Sequence, residues 1–134
     1  MTESPVRELR LALTVDNYDE LVSFYRDVFG LPVIEAWDDP SGKGAILDAG
    51  RATLELLSVE QSELVDRVEV GERVSGPIRL ALEVDDSAAT AEALVAGGAE
   101  RVAGPVVTPW RHRNVRVRAP DGMQLTLFTV LGEG

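Results

Sequence analysis

Residues Leu9 to Val15 alternate strictly, with Leu9, Leu11, Leu13 and Val15 on one side and Arg10, Ala12 and Thr14 on the other. That period of two is the mark of a strand with one buried face. The next stretch changes period. Leu21, Phe24, Tyr25 and Val28 fall at i, i+3, i+4 and i+7, which predicts a helix over Tyr18 to Phe29 with this stripe as core. Asn17 is placed to cap it and Gly30 to end it in a left-handed conformation. Three strands follow by composition: Pro32 to Trp37, Gly44 to Asp48 and Ala52 to Ser58, separated by Asp38-Asp39-Pro40-Ser41-Gly42 and Ala49-Gly50-Arg51. The order is β-α-β-β-β.

The acidic stretch Val59 to Pro77, punctuated by Gly71 and Gly76, reads as a connection with a short helical turn around Ser62 to Val68. Its charged run near Glu60 reads as a solvated face. The plan then repeats. Ile78 to Val84 is a strand, and Asp85 to Ala96 a helix opened by Asp86 or Ser87 and closed by Gly97-Gly98. Glu100 to Val107 is a strand bent at Gly104-Pro105, and Asn114 to Arg118 and Met123 to Val130 are the last two. The repeat is explicit in the residues. Arg10-Leu11-Ala12-Leu13-Thr14-Val15-Asp16 recurs 69 positions later as Arg79-Leu80-Ala81-Leu82-Glu83-Val84-Asp85 with six of seven residues identical. Likewise Leu54-Glu55-Leu56 has its counterpart in Leu125-Thr126-Leu127. One domain over 1–134 is expected, with modules 7–58 and 78–131 joined by linker 59–77.

Composition narrows the function classes. A net charge of −10 makes a nucleic-acid partner unexpected, because phosphates demand a basic surface. The basic segment Arg111 to Arg118 is too short and isolated to change this. The absence of cysteine removes disulfides, thiol nucleophiles and thiolate metal sites. No apolar run approaches the roughly 20 residues of a membrane helix, and Met1 to Arg10 lack the apolar stretch of a signal peptide. The expectation is a cytoplasmic protein with no membrane partner.

Phe24-Tyr25 ahead of Gly30-Leu31-Pro32, the paired repeat strands and the turn Ala119-Pro120-Asp121-Gly122 stand in the order and spacing of a known family. In these the chain resembles the vicinal oxygen chelate superfamily, which includes glyoxalase I, extradiol dioxygenases, fosfomycin-resistance enzymes and bleomycin-resistance proteins. The resemblance covers about Leu9 to Val130. It implies an α+β fold in which two βαβββ modules form a cup-shaped mixed sheet around a cleft. In metal-dependent members four cleft positions supply ligands, and these correspond to Arg10, Glu55, Arg79 and Thr126. Only Glu55 is an ordinary ligand, since a guanidinium has no lone pair to offer and a threonine hydroxyl is a feeble donor. The only histidine, His112, stands outside all four positions. No metal and no cofactor are expected.

Arg10 and Arg79 are related by the repeat and should approach each other across the cup, with Glu55 near them. Two readings remain open, a structural ion-pair cluster and a clamp for an anionic or polar group. Among only seven aromatic residues, Trp37 and Trp110 are the candidates for stacking on a flat ligand. Thr108-Pro109-Trp110 resembles the stretch of bleomycin-resistance-like proteins in which tryptophan lines the groove. This chain departs from the pattern with Arg111-His112 where a glycine usually follows. His112 could titrate near neutrality, but its neighbours Arg111 and Arg113 provide no carboxylate to orient it.

The resulting expectation is a metal-free homodimeric protein of the bleomycin-resistance-like branch. It would bind and sequester a small planar or amphipathic molecule, an antibiotic among the candidates, through Trp110, Trp37, Arg10, Glu55, Arg79, Thr126 and His112. None of these is assigned a catalytic role. The alternative is a glyoxalase-like lyase, isomerase or dioxygenase with an altered active site. A third reading, in which the cleft is filled by its own side chains, predicts no pocket of ligand size.

Overall fold

The computed structural model describes residues 4–132; the outermost residues of the expected domain, 1–3 and 133–134, lie outside that range. Eight strands form one mixed sheet: β1 (Val6–Val15), β2 (Val33–Asp39), β3 (Gly42–Asp48), β4 (Thr53–Ser58), β5 (Ile78–Val84), β6 (Glu100–Val107), β7 (His112–Arg118) and β8 (Gln124–Val130). Their order is β2-β3-β4-β1-β5-β8-β7-β6. The two repeat strands are the central antiparallel pair, with Leu11 opposite its own counterpart Leu80. The internal two-fold relation therefore passes through that pair. The same register sets Arg10 against Ala81 and Ala12 against Arg79.

Alternation assigns the two faces. Leu11 and Leu13, with Ala45, Leu47, Leu54 and Leu56, pack against helix α1 (Tyr18–Ser23). Val84, Val115, Val117 and Leu127 pack on the other module's helix, α3 (Ser87–Ala96), around the fully buried Ala91. Asp86 caps α3 by accepting from the Ala89 amide at 3.1 Å. The intervening positions, including Arg10, Arg79, Arg116 and Thr126, face the opposite side.

Two helical expectations are corrected. The first helix is α only to Ser23 and continues as a π-helix over Phe24–Phe29, ending at Gly30 with φ of 96°. The wider π turn rotates the face. Tyr18, Leu21, Val22 and Tyr25 pack on the core, but Phe24 and Val28 of the expected stripe are 47% and 76% exposed. Asn17 makes no side-chain cap; its amide donates instead to Glu20 at 3.2 Å.

The connection holds a full helix, α2 (Val59–Glu69), rather than a short turn. Ser58 caps it through the Gln61 amide. Its inward face is mostly polar: Gln61, Ser62, Asp66 and Glu69 are buried beside Val65. A buried stripe at helical spacing that is not apolar leaves no hydrophobic periodicity to read. The acidic run is therefore not simply a solvated face, because Asp66 and Glu69 are 1% and 3% exposed.

Candidate functional site

The face opposite α1 and α3 carries a cavity of about 520 Å³, and all seven residues singled out from the sequence line it. Arg10 comes from β1, Trp37 from β2, Glu55 from β4, Arg79 from β5, His112 from β7 and Thr126 from β8, with Trp110 on the loop before β7. Helix α2 closes one side through Gln61, Leu64, Val65 and Glu69. The reading in which the cleft is filled by its own side chains predicted no such space.

The floor is a buried polar network that sequence reasoning missed. Arg116, with no exposed side-chain surface, pairs with Glu69 at 2.9 Å and Asp66 at 3.0 Å. It also donates to Ser75 at 2.8 Å and Gln124 at 3.2 Å. Glu69 accepts further bonds from Thr126 at 2.9 Å and from the Asn114 amide at 2.9 Å. Asp66 fastens the chain after α2 by accepting from the amides of Val74 and Ser75, the Ser75 hydroxyl and Arg73. Burial alone would push the Asp66 carboxyl up. The bonds from Ser75, Arg73 and Val74 outweigh it and hold the group well below the usual carboxylate range. The signal for Arg116 and Asn114 was available: they share the strand face of His112, while Val115 and Val117 take the other.

The expected cluster of Arg10, Glu55 and Arg79 does not form as such. Arg10 pairs with Glu8, two residues away on the same face, at 3.0 Å, and lies 5.0 Å from the centre of the Phe128 ring. His112 stacks on Phe128 at 4.9 Å. Burial, and then the charge of Arg10, push the His112 pKa down, which favours the neutral imidazole. Arg79 is buried and donates to Thr126 at 2.9 Å. Among the described residues, Arg79 has no carboxylate within ion-pair distance, and Glu55 makes no hydrogen bond or ion pair. Burial pushes the Glu55 carboxyl up, against the opposing pull of Arg79 and Arg10.

That shift has a consequence for stability. The folded state resists ionising Glu55, so its contribution is favourable below the ordinary value of 4.5 and is lost as pH rises through the raised value. Glu55→Gln is expected to raise neutral-pH stability by about 0.5–2 kcal/mol. Urea unfolding of both forms at pH 4 and pH 8 should show the gain only at the higher pH.

Trp37 is half-buried in the cavity wall and fastened there. Its indole N–H donates to Gln61 at 3.1 Å, and its ring lies where a Cβ on Gly44 would stand. Gly44→Ala should displace the indole, loosen the start of α2 and cost about 1–3 kcal/mol. A shift in tryptophan emission together with a lower urea midpoint would register it. Trp110 is 37% exposed at the mouth of the cavity. Arg111 adopts the left-handed conformation, φ 65°, at the position where the resembling proteins carry glycine. Its guanidinium holds the Gly132 carbonyl at 2.7 Å. Access to Trp110 thus survives the substitution.

The sequence pattern of the Glyoxalase/Bleomycin resistance protein/Dioxygenase superfamily matches residues 9–127. The chain belongs to this superfamily. Methylmalonyl-CoA epimerase from Mycobacterium tuberculosis superposes with a TM-score of 0.68 at 19% identity, covering 98% of this chain and 93% of the epimerase. The Streptomyces coelicolor epimerase in complex with 2-nitronate-propionyl-CoA gives 0.67 at 21% identity, covering 96% and 100%. A superfamily member from Vibrio splendidus 12B01 gives 0.60 at 13% identity, covering 91% and 97%. At these identities the likeness shows the fold alone. No curated protein sequence matches the chain. Among the described residues, no helix is long and apolar enough to cross a membrane.

The four positions that the resemblance assigns to metal ligands can be tested against the chemistry of these side chains. Arg10 and Arg79 place positive charge there and offer no lone pair. The Thr126 hydroxyl accepts from Arg79 and Arg116 and donates to Glu69, so its bonding capacity is spent. Glu55 alone keeps free donor oxygens. One carboxylate alone does not make a divalent site, so these four side chains by themselves do not fit a metal ion.

Proposed function

We propose that this superfamily member binds and sequesters a small, flat organic molecule in the cavity, without a metal at the four family positions. The observation that carries the reading is the exposed face of Trp110 beside a cavity of about 520 Å³ whose floor is largely committed to internal bonds. Such a floor is preorganised to hold a ligand, and an indole offers it a large flat contact. Saturable quenching of tryptophan emission by planar aromatic compounds, antibiotics included, is the expected result. A set of such compounds that leaves emission and melting temperature unchanged would sink the reading.

One observation favours a second reading, that of a lyase or isomerase. Glu55 is a carboxyl raised by burial and free of protein partners, a fit state for taking a proton next to a carbonyl while Arg79 faces the resulting negative charge. Turnover of an acidic C–H substrate, abolished by Glu55→Gln with the fold intact, would establish this reading over the first. A homodimer also belongs to the proposal. The exposed apolar side chains Phe24, Val28, Phe29 and Ile34 support a subunit contact, and the mass in solution tests it.

A further inference from the structure

The cavity floor contains an ion pair that is present in its parts but not made. The charged groups sunk into it are otherwise matched, Arg10 with Glu8 and Arg116 with Asp66 and Glu69, while Glu35 and Asp39 line the cavity from water-exposed positions. Arg79 and Glu55 are left over. Both are register partners of Ala12, Glu55 through β4 and Arg79 through β5, so they stand two strands apart, about 10 Å between backbones. The methyl group of Ala12 cannot bridge that interval. Arg79 keeps guanidinium N–H groups beyond its single bond to Thr126, and Glu55 keeps both carboxylate oxygens. One more unpaired atom, closed to water, stands in the same cavity wall. Asn114, 3% exposed and lining the same cavity, turns its amide N–H to Glu69 and leaves its carbonyl oxygen without a partner.

A net anion at this floor would meet Arg79 but also Glu55. A net cation would meet Glu55 but also Arg79. A neutral group with a carbonyl beside an N–H satisfies the donor and the acceptor together and leaves the local charge balanced. We propose that the floor recognises the donor–acceptor edge of a neutral amide-type group, such as a carboxamide, lactam or ureide. Its C=O accepts from Arg79 and its N–H donates to Glu55. This names the polar end of the flat ligand in the preceding section and rests on that reading.

Three ring compounds of one shape test it: benzamide, benzoate and benzamidine. Each is titrated into the protein near neutral pH while the amide and indole resonances of the cavity residues are followed by NMR. Benzamide is expected to bind more tightly than either charged compound by about fivefold or more. In Glu55→Gln, Arg79 faces no carboxylate, and benzoate is expected to gain about fivefold or more and overtake benzamide. The fold of that variant is checked by the same spectra. Benzoate or benzamidine binding most tightly to the native protein, or an order unchanged by Glu55→Gln, overturns the inference and leaves the cavity a ligand site. If none of the three binds while other flat compounds still quench Trp110, only the inference falls. If nothing flat binds, both fall.

Discussion

Arg116→Met is expected to destabilise the protein by about 3–5 kcal/mol, the usual cost of removing one partner from a buried ion pair. The side chain has no exposed surface and bonds to Glu69, Asp66, Thr126, Ser75 and Gln124. Methionine fills much of the volume but returns none of those bonds. Glu69 would keep only Thr126 and Asn114, with no cation within ion-pair distance among the described residues. Asp66 would keep Arg73 and the amides of the segment it holds. Against a typical net stability of about 5–15 kcal/mol, the loss is large. Urea denaturation measures it, with Arg118→Met as control. Arg118 pairs with Glu100 at the surface, where a pair is worth about 0–1 kcal/mol. Equal effects of the two variants would show that the polar floor does not hold α2 against the sheet.

Trp110→Ala is expected to weaken binding of a flat ligand by about 10–100-fold, the equivalent of burying one large ring face. The same change should cost little stability, because Trp110 stands at the mouth of the cavity with over a third of its surface exposed. Trp37→Ala should behave the opposite way. That indole packs over Gly44 and is bonded to Gln61, so its removal unfastens the start of α2 before it touches any ligand. Parallel fluorescence titrations and urea melts of the two variants separate the roles. Undiminished affinity in Trp110→Ala would remove stacking from the account.

Much of this was legible because alternation and duplication are local signals. The period of two in Leu9 to Val15 and its copy in Ile78 to Val84 identify the central strands. The copies at Leu54-Glu55-Leu56 and Leu125-Thr126-Leu127 identify their neighbours, and together they bring Arg10, Glu55, Arg79 and Thr126 to one cavity. What was not legible depends on partners far apart in the chain. Helix α2 buries glutamine, serine, aspartate and glutamate because Trp37, Thr14, Arg73 and Arg116 meet them from elsewhere. No hydrophobic stripe records such a helix. Arg10 was expected to turn to Glu55, yet Glu8 is nearer on the same strand face and Phe128 covers its guanidinium. The π-helical turn after Ser23 left Phe24 and Val28 exposed, since an apolar stripe predicts a face only if the helix keeps its pitch.

The claim that Glu55 and Arg79, two of the four positions the resemblance assigns to metal ligands, serve an organic ligand's polar end instead is tested most directly by native mass spectrometry. The protein is incubated with excess zinc, nickel and manganese, then freed of unbound ions. The expected result is the mass of the polypeptide with no retained metal, because the other three of those positions hold two guanidinium groups and a committed hydroxyl, leaving Glu55 as the single ordinary ligand. One metal ion per chain, lost in Glu55→Gln, would contradict it and return the cleft to metal chemistry.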